Sequence, residues 1–242
     1  METLGLTFLG TLVNYFAPFR AGVGAKAVYL KRRKNLSFAR FAALRAAYSF
    51  LFLLMCGATG LVLLAVFWQE TGTQSPGLAA ICLVVMGVSA APFVFRRRSV
   101  ERQGRIWEAL RRAVDGFETI KAHRRKLLLV CGSLLLQYVV SALVTVVVYE
   151  ALGYRITLTV AMIIGVFTAL SNFFTITPSN LGVQEVITAQ LFTITGMDFT
   201  SGLLGAGLMR ALHALLTFSV GPILVYPVFK SGDLRASVDN RN

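Results

Sequence analysis

The chain is poor in the side chains that carry covalent or metal chemistry. It holds two histidines and three cysteines in 242 residues. Cys56, Cys82 and Cys131 all fall inside apolar runs, with no Cys-x-x-Cys spacing and no neighbouring histidine. That pattern argues against a metal centre or a disulfide and for small buried hydrophobes. His123 lies in a basic segment and His213 in an apolar one, ninety residues away. Gly-x-Ser-x-Gly, the phosphate-binding lysine loop, His-Glu-x-x-His and the dinucleotide-binding glycine pattern are all missing. These are the commonest sequence marks of hydrolases, nucleotide-binding proteins and zinc enzymes. The expectation is a chain that is not an enzyme, with no catalytic residues, no metal and no cofactor.

Acid is the second scarcity. Eleven Asp and Glu stand against 24 Lys and Arg, a net charge of +13, yet charged residues make up only 14% of a chain that is 56% hydrophobic. Mean hydropathy is +0.68, outside the range of an ordinary soluble domain. The distribution of charge decides against nucleic acid. Segments 20–45 and 96–126 hold 19 of the 24 basic groups. Lys and Arg concentrated in short loops mark the cytoplasmic side of a membrane protein and suit its anionic inner leaflet.

Uncharged apolar runs of about 18 residues or more read as transmembrane helices. Four occur, at 46–68, 77–95, 127–149 and 156–176; a fifth, at 203–229, is interrupted by Arg210, His213, Pro222 and Pro227. Stretches 4–19 and 186–197 are short for spans, and each borders a Pro-x-x-x-Gly break. The first is no secretory signal: it carries Glu2, lacks a basic start and has no small-x-small site before Pro18. Residues 101–122 read as an amphipathic surface helix, with Glu101–Arg105 and Glu108–Arg112 as acid-first pairs. Lys31–Lys34 reads as an interfacial anchor. The fold class is therefore all-α: a polytopic transmembrane bundle of about five full spans with two Pro/Gly-broken or re-entrant helices.

The breaks resemble one another. Asn14-Tyr-Phe-Ala-Pro18-Phe-Arg20-Ala-Gly22-Val23 recurs as Asn172-Phe-Phe-Thr-Ile-Thr-Pro178-Ser-Asn-Leu-Gly182-Val183. Hydrophobic segments interrupted at corresponding places in two halves point to a transporter's central site. Non-helical backbone at membrane depth survives only inside protein or beside a watery cavity, and a half-helix start offers N–H groups to an anion. Ionisable residues inside a membrane are functional candidates by default; here they are Glu185, Asp198, Arg210 and His213. Arg210 and His213, three apart, share a helix face. Arg210 either meets a lipid phosphate or neutralises Glu185 as a structural pair. Asp198 reads as a cap for the last helix.

The first run, continued to Phe38, resembles the N-x-x-x-P-x-R-x-G-E-x-x-R region of the flippase-like integral membrane family that includes the membrane domain of lysylphosphatidylglycerol synthase. Thr177 to Glu185, with the later Arg210, resembles that family's P-G-G-L-G-x-x-E signature and helix arginine. The likeness runs from about residue 10 to 229. It departs where Val23 replaces an acid, Lys26 an arginine, and Ser179 and Asn180 two glycines; Arg45 fits the family's Glu-Arg pair, but Leu44 and Tyr48 do not. Relatives usually have one or two helices ahead of the first signature, so an N-terminus lacking them is expected, and no aminoacyl-transferase domain follows. The resemblance implies one flippase-like membrane domain over 1–229, a polar tail over 230–242, and a plasma or inner membrane location. It implies a translocase for an anionic or aminoacylated phospholipid or a polyprenyl-phosphate lipid. Arg20, Gly22, Lys26, Pro178, Asn180, Gly182, Glu185, Arg210 and His213 are the expected substrate-binding residues. The expected partners are anionic lipids and no nucleic acid, with a homo-oligomer or a lipid enzyme as further possibilities. The alternative is a non-transporting scaffold or accessory subunit of a lipid or cell-envelope complex.

Overall fold

A computed structural model describes residues 2–17, 21–94, 124–174 and 177–239. The amphipathic segment expected at 101–122, Pro18 and Arg20 lie outside the described residues. Among the described residues eight α-helices follow one another: α1 (Glu2–Phe16), α2 (Ala21–Lys34), α3 (Phe38–Thr71), α4 (Pro76–Val94), α5 (Arg124–Ala151), α6 (Leu158–Ser171), α7 (Val183–Ile194) and α8 (Phe199–Asp239). Two 3₁₀ turns, Asn172–Phe174 and Pro178–Asn180, separate α6 from α7.

Side-chain caps fix the helix starts. Ser37 Oγ accepts from the Arg40 N–H at 3.3 Å, and Thr157 Oγ1 from the Val160 N–H at 3.3 Å. Asp198 caps α8 as its sequence position implies, with Oδ2 accepting from the Ser201 N–H at 3.2 Å. α3 stops at Gly72, whose φ of 70° no β-branched residue would accept.

Among the described residues, three helices are long and apolar enough to cross a membrane: α3, α5 and α8. Of the five spans expected, the one at 156–176 is corrected. α4 and α6 are shorter apolar helices. The run 156–176 is not one span: its helix ends at Ser171 and the chain turns. The run 203–229 is the opposite case, because helix α8 continues through Pro222 without interruption.

The breaks create two hairpins. In the first, α1 and α2 run antiparallel: Tyr29 donates to Glu2 at 3.0 Å, and Arg33 and Lys34 lie 3.7 and 3.9 Å from the same carboxylate. This hairpin therefore opens at the basic end of the molecule, and at its far end α1 stops at Phe16 and α2 starts at Ala21. Lys31–Lys34 belong to its last turn, with the Lys31 ammonium 4.5 Å from the centre of the Phe38 ring. From there α3 rises to the opposite end. α6 starts at that end, where the Thr159 hydroxyl donates to Glu70 at 3.0 Å. α7 finishes there too, with Ile194 beside Thr73, Gln74 and Ser75. At 1.5 Å per residue α6 and α7 are about 21 and 18 Å long, short of the roughly 30 Å hydrocarbon layer. The second hairpin thus opens opposite to the first, and the two tips meet inside.

The core gathers on α3, α4, α5, α6 and α7 around Phe52, Tyr138, Ile163, Phe167 and Phe192. α8 closes the bundle. Its Phe218 ring lies 5.2 Å from Tyr15 and 5.9 Å from Phe16. Near the other end the buried Tyr149 stacks on Phe192 and donates to the Gly202 carbonyl at 2.9 Å. A side chain at Gly205 would enter the Tyr149 ring, so this contact depends on the small residue, as helix interfaces in membranes commonly do.

Candidate functional site

The second break builds the site. The chain leaves α6 through Asn172–Phe174 and turns at Pro178–Asn180, where Pro178 occupies the first helical position. Ser179 and Asn180 both adopt left-handed backbone, φ 51° and 59°. These are the two positions where the family signature carries glycine, and glycine alone adopts that conformation without strain. The Thr177 hydroxyl closes the turn by donating to the Leu181 carbonyl at 2.8 Å.

Gly182, φ 82°, then starts α7. Its N–H donates to Glu185 Oε2 at 2.7 Å, the half of a capping box that a glycine N-cap can make. At this helix start, where an anion site was expected, the protein's own Glu185 carboxylate takes the Gly182 N–H. The same Glu185 accepts from Arg210 Nε through its other oxygen, also at 2.7 Å. Their side chains are only 14% and 17% exposed. Arg210 lies eleven residues into α8, about 16 Å from its start, near the middle of a bilayer. Its Nη1 donates to Ser179 Oγ at 3.4 Å, and its Nη2 is buried with no partner among the described residues.

Glu185, Arg210 and His213 line an upper cavity of about 90 Å³ together with Thr145, Thr168 and Thr188. His213 shares the face of Arg210 as its spacing implies, and is exposed. A lower cavity of about 270 Å³ lies where the hairpin tips meet, lined by Asn14, Lys26, Arg45, Asn172, Ser179 and Asn180. Ser179 walls the lower cavity, and its hydroxyl accepts from Arg210, which lines the upper one. Lys26 is half-buried.

The two breaks are not equivalent. Gly182 is a helix cap with positive φ, whereas Gly22 lies inside α2, buried against Gly10 of α1. The Gly22 N–H donates to Asn14 Oδ1 at 2.8 Å. Gly22 therefore serves close approach between α1 and α2, and its N–H is already taken by the protein. Asn14, Arg45, Asn172 and Ser179 line the lower cavity without standing among the expected binding residues; for Arg45 the available signals were a basic stretch with no acid and its fit to the family's Glu-Arg pair.

A bundle with three long apolar helices, shorter apolar ones and two oppositely opening hairpins around a buried ion pair defines a multi-pass helical membrane protein. Residues 2–221 match the family described as lysylphosphatidylglycerol synthase TM region, and the chain belongs to that family. Membership ties it to membrane-lipid function. No curated protein and no solved structure matches the chain.

Proposed function

We propose that the chain is a lipid translocase that moves an anionic or aminoacylated phospholipid, or a polyprenyl-phosphate lipid, between leaflets. The observation that carries this reading is the Glu185–Arg210 pair, which lines a cavity beside the meeting point of two oppositely opening hairpins. Broken elements that bring helix ends and charges to the middle of the membrane are the way transporters build a substrate site. Arg210 Nη2, buried with no partner among the described residues, is the donor offered to a phosphate oxygen; Glu185 balances Arg210 or receives an ammonium headgroup. The basic end faces the cytoplasm of a plasma or inner membrane, following the excess of Lys and Arg. The chain performs no covalent step, and transport is passive or driven by an ion gradient or a partner.

One observation favours the scaffold reading. Both Glu185 oxygens are already engaged by protein donors, as a purely structural pair would have them. The test is leaflet exchange in reconstituted liposomes. Glu185→Gln and Arg210→Gln are expected to abolish exchange while membrane levels stay within about twofold of the parent. Loss of folded protein in both variants would assign the pair to structure instead.

A further inference from the structure

The lower cavity carries positive charge that the protein leaves uncompensated. Lys26 and Arg45 line it, and none of its lining residues is Asp or Glu. Among the described residues neither cation has a carboxylate partner: the ion pairs are Glu2 with Arg33 and Lys34, and Glu185 with Arg210. Arg45 rests against the Tyr48 ring, 5.4 Å from its centre. Burying like charges together is unfavourable unless something of opposite sign joins them. The wall opposite supplies a second requirement. Asn180 is 1% exposed, and its Oδ1 has no hydrogen-bond partner among the described residues. It is held there by two successive left-handed residues, a conformation that persists only where surrounding structure enforces it.

We propose that the lower cavity is a binding site for a phosphomonoester group, held by Lys26 and Arg45 on its anionic oxygens and by Asn180 on its P–OH. An ammonium and a guanidinium are the two side chains suited to phosphate, the guanidinium through its fork of N–H donors. An orphan acceptor beside them calls for a ligand that also brings a hydroxyl. Hydrogen phosphate and a monoprotonated monoester have one on the phosphorus; a phosphodiester does not. Zwitterionic headgroups are disfavoured because the cavity has no acid for their cation. The chemistry has two sources, free phosphate and a phosphomonoester lipid. The lipid source alone rests on the translocase reading, whose substrate it would narrow to the monoester class.

The test is binding to the full chain in nanodiscs, with no transport step. The probes are inorganic phosphate in phosphatidylcholine discs, and discs containing phosphatidate or, as diester control, phosphatidylglycerol. Saturable binding of phosphate, competed by phosphatidate and not by phosphatidylglycerol, is expected for a lipid site. Phosphate binding without competition assigns the site to the free ion. Lys26→Gln and Arg45→Gln should each weaken phosphate binding about tenfold or more, and Lys26→Arg should restore it. Asn180→Asp, nearly isosteric with a charge added, serves if either Gln variant elutes misfolded, and should also abolish binding. Glu185→Gln, which stops transport under the reading above, should leave phosphate affinity within twofold, so failure of transport and failure of this site are separable. Unchanged affinity in Lys26→Gln and Arg45→Gln, or phosphatidylglycerol competing as well as phosphatidate, overturns the proposal.

Discussion

Glu185 holds two groups with two oxygens, the Gly182 N–H and the Arg210 guanidinium, so different substitutions separate its duties. Gln keeps an acceptor for the Gly182 N–H but, being neutral, removes the counter-charge as Ala does; Ala removes that acceptor as well. Loss of one partner from a fully buried pair costs about 3–5 kcal/mol; this pair retains some exposure, and both variants lose it equally. We therefore expect Glu185→Ala to be less stable than Glu185→Gln by about 1 kcal/mol, the worth of that hydrogen bond, read from unfolding in detergent. Equal stability would mean that the bond to the Gly182 N–H contributes little. Ser179 gives a second test. At φ 51° a β-branched residue is strained, so Ser179→Val should cost about 2 kcal/mol, whereas Ser179→Gly should cost under about 0.5 kcal/mol because relief of strain offsets chain entropy. The pairing of Glu185 with Arg210 was legible, because charges in apolar sequence have few affordable partners. The handedness at Ser179 was not, since serine itself imposes none; only the glycines in the resembling signature hinted at it.

At the scale of helices, close packing is carried by small residues. Gly205 faces the Tyr149 ring, so Gly205→Ala should overpack the α5–α8 contact and destabilise by about 1–3 kcal/mol. Tyr149→Phe keeps the ring and loses only the bond to the Gly202 carbonyl, about 1 kcal/mol. Melting temperatures of the two variants in one detergent check the order; a Phe variant less stable than the Ala variant would contradict it. Hydropathy located all the apolar elements but misjudged where they end. The 156–176 run reads as continuous because Phe173 and its neighbours stay apolar while the backbone has already turned at Asn172. Prolines misled in the other direction: Pro222 lies inside α8, since a helix in a bundle can satisfy the carbonyl that proline frees.

Across the whole molecule the account predicts opposite sidedness of the two hairpin mouths. In a Cys131→Ser background, Lys34→Cys and Gln74→Cys should react with an impermeant maleimide from opposite sides of the membrane. Labelling of both from one side would remove the inverted arrangement. The repeat in the sequence pointed to two broken elements, but it could not give their relative direction; that follows from contacts such as Glu2 with Arg33 and Glu70 with Thr159. The most direct measurement of the central claim is the leaflet accessibility of labelled anionic, monophosphate and lysyl lipids in liposomes holding the folded chain. The account predicts faster exchange than in empty liposomes, lost in the Glu185→Gln/Arg210→Gln double variant. Exchange no faster than in empty liposomes would contradict it and leave the scaffold reading in its place.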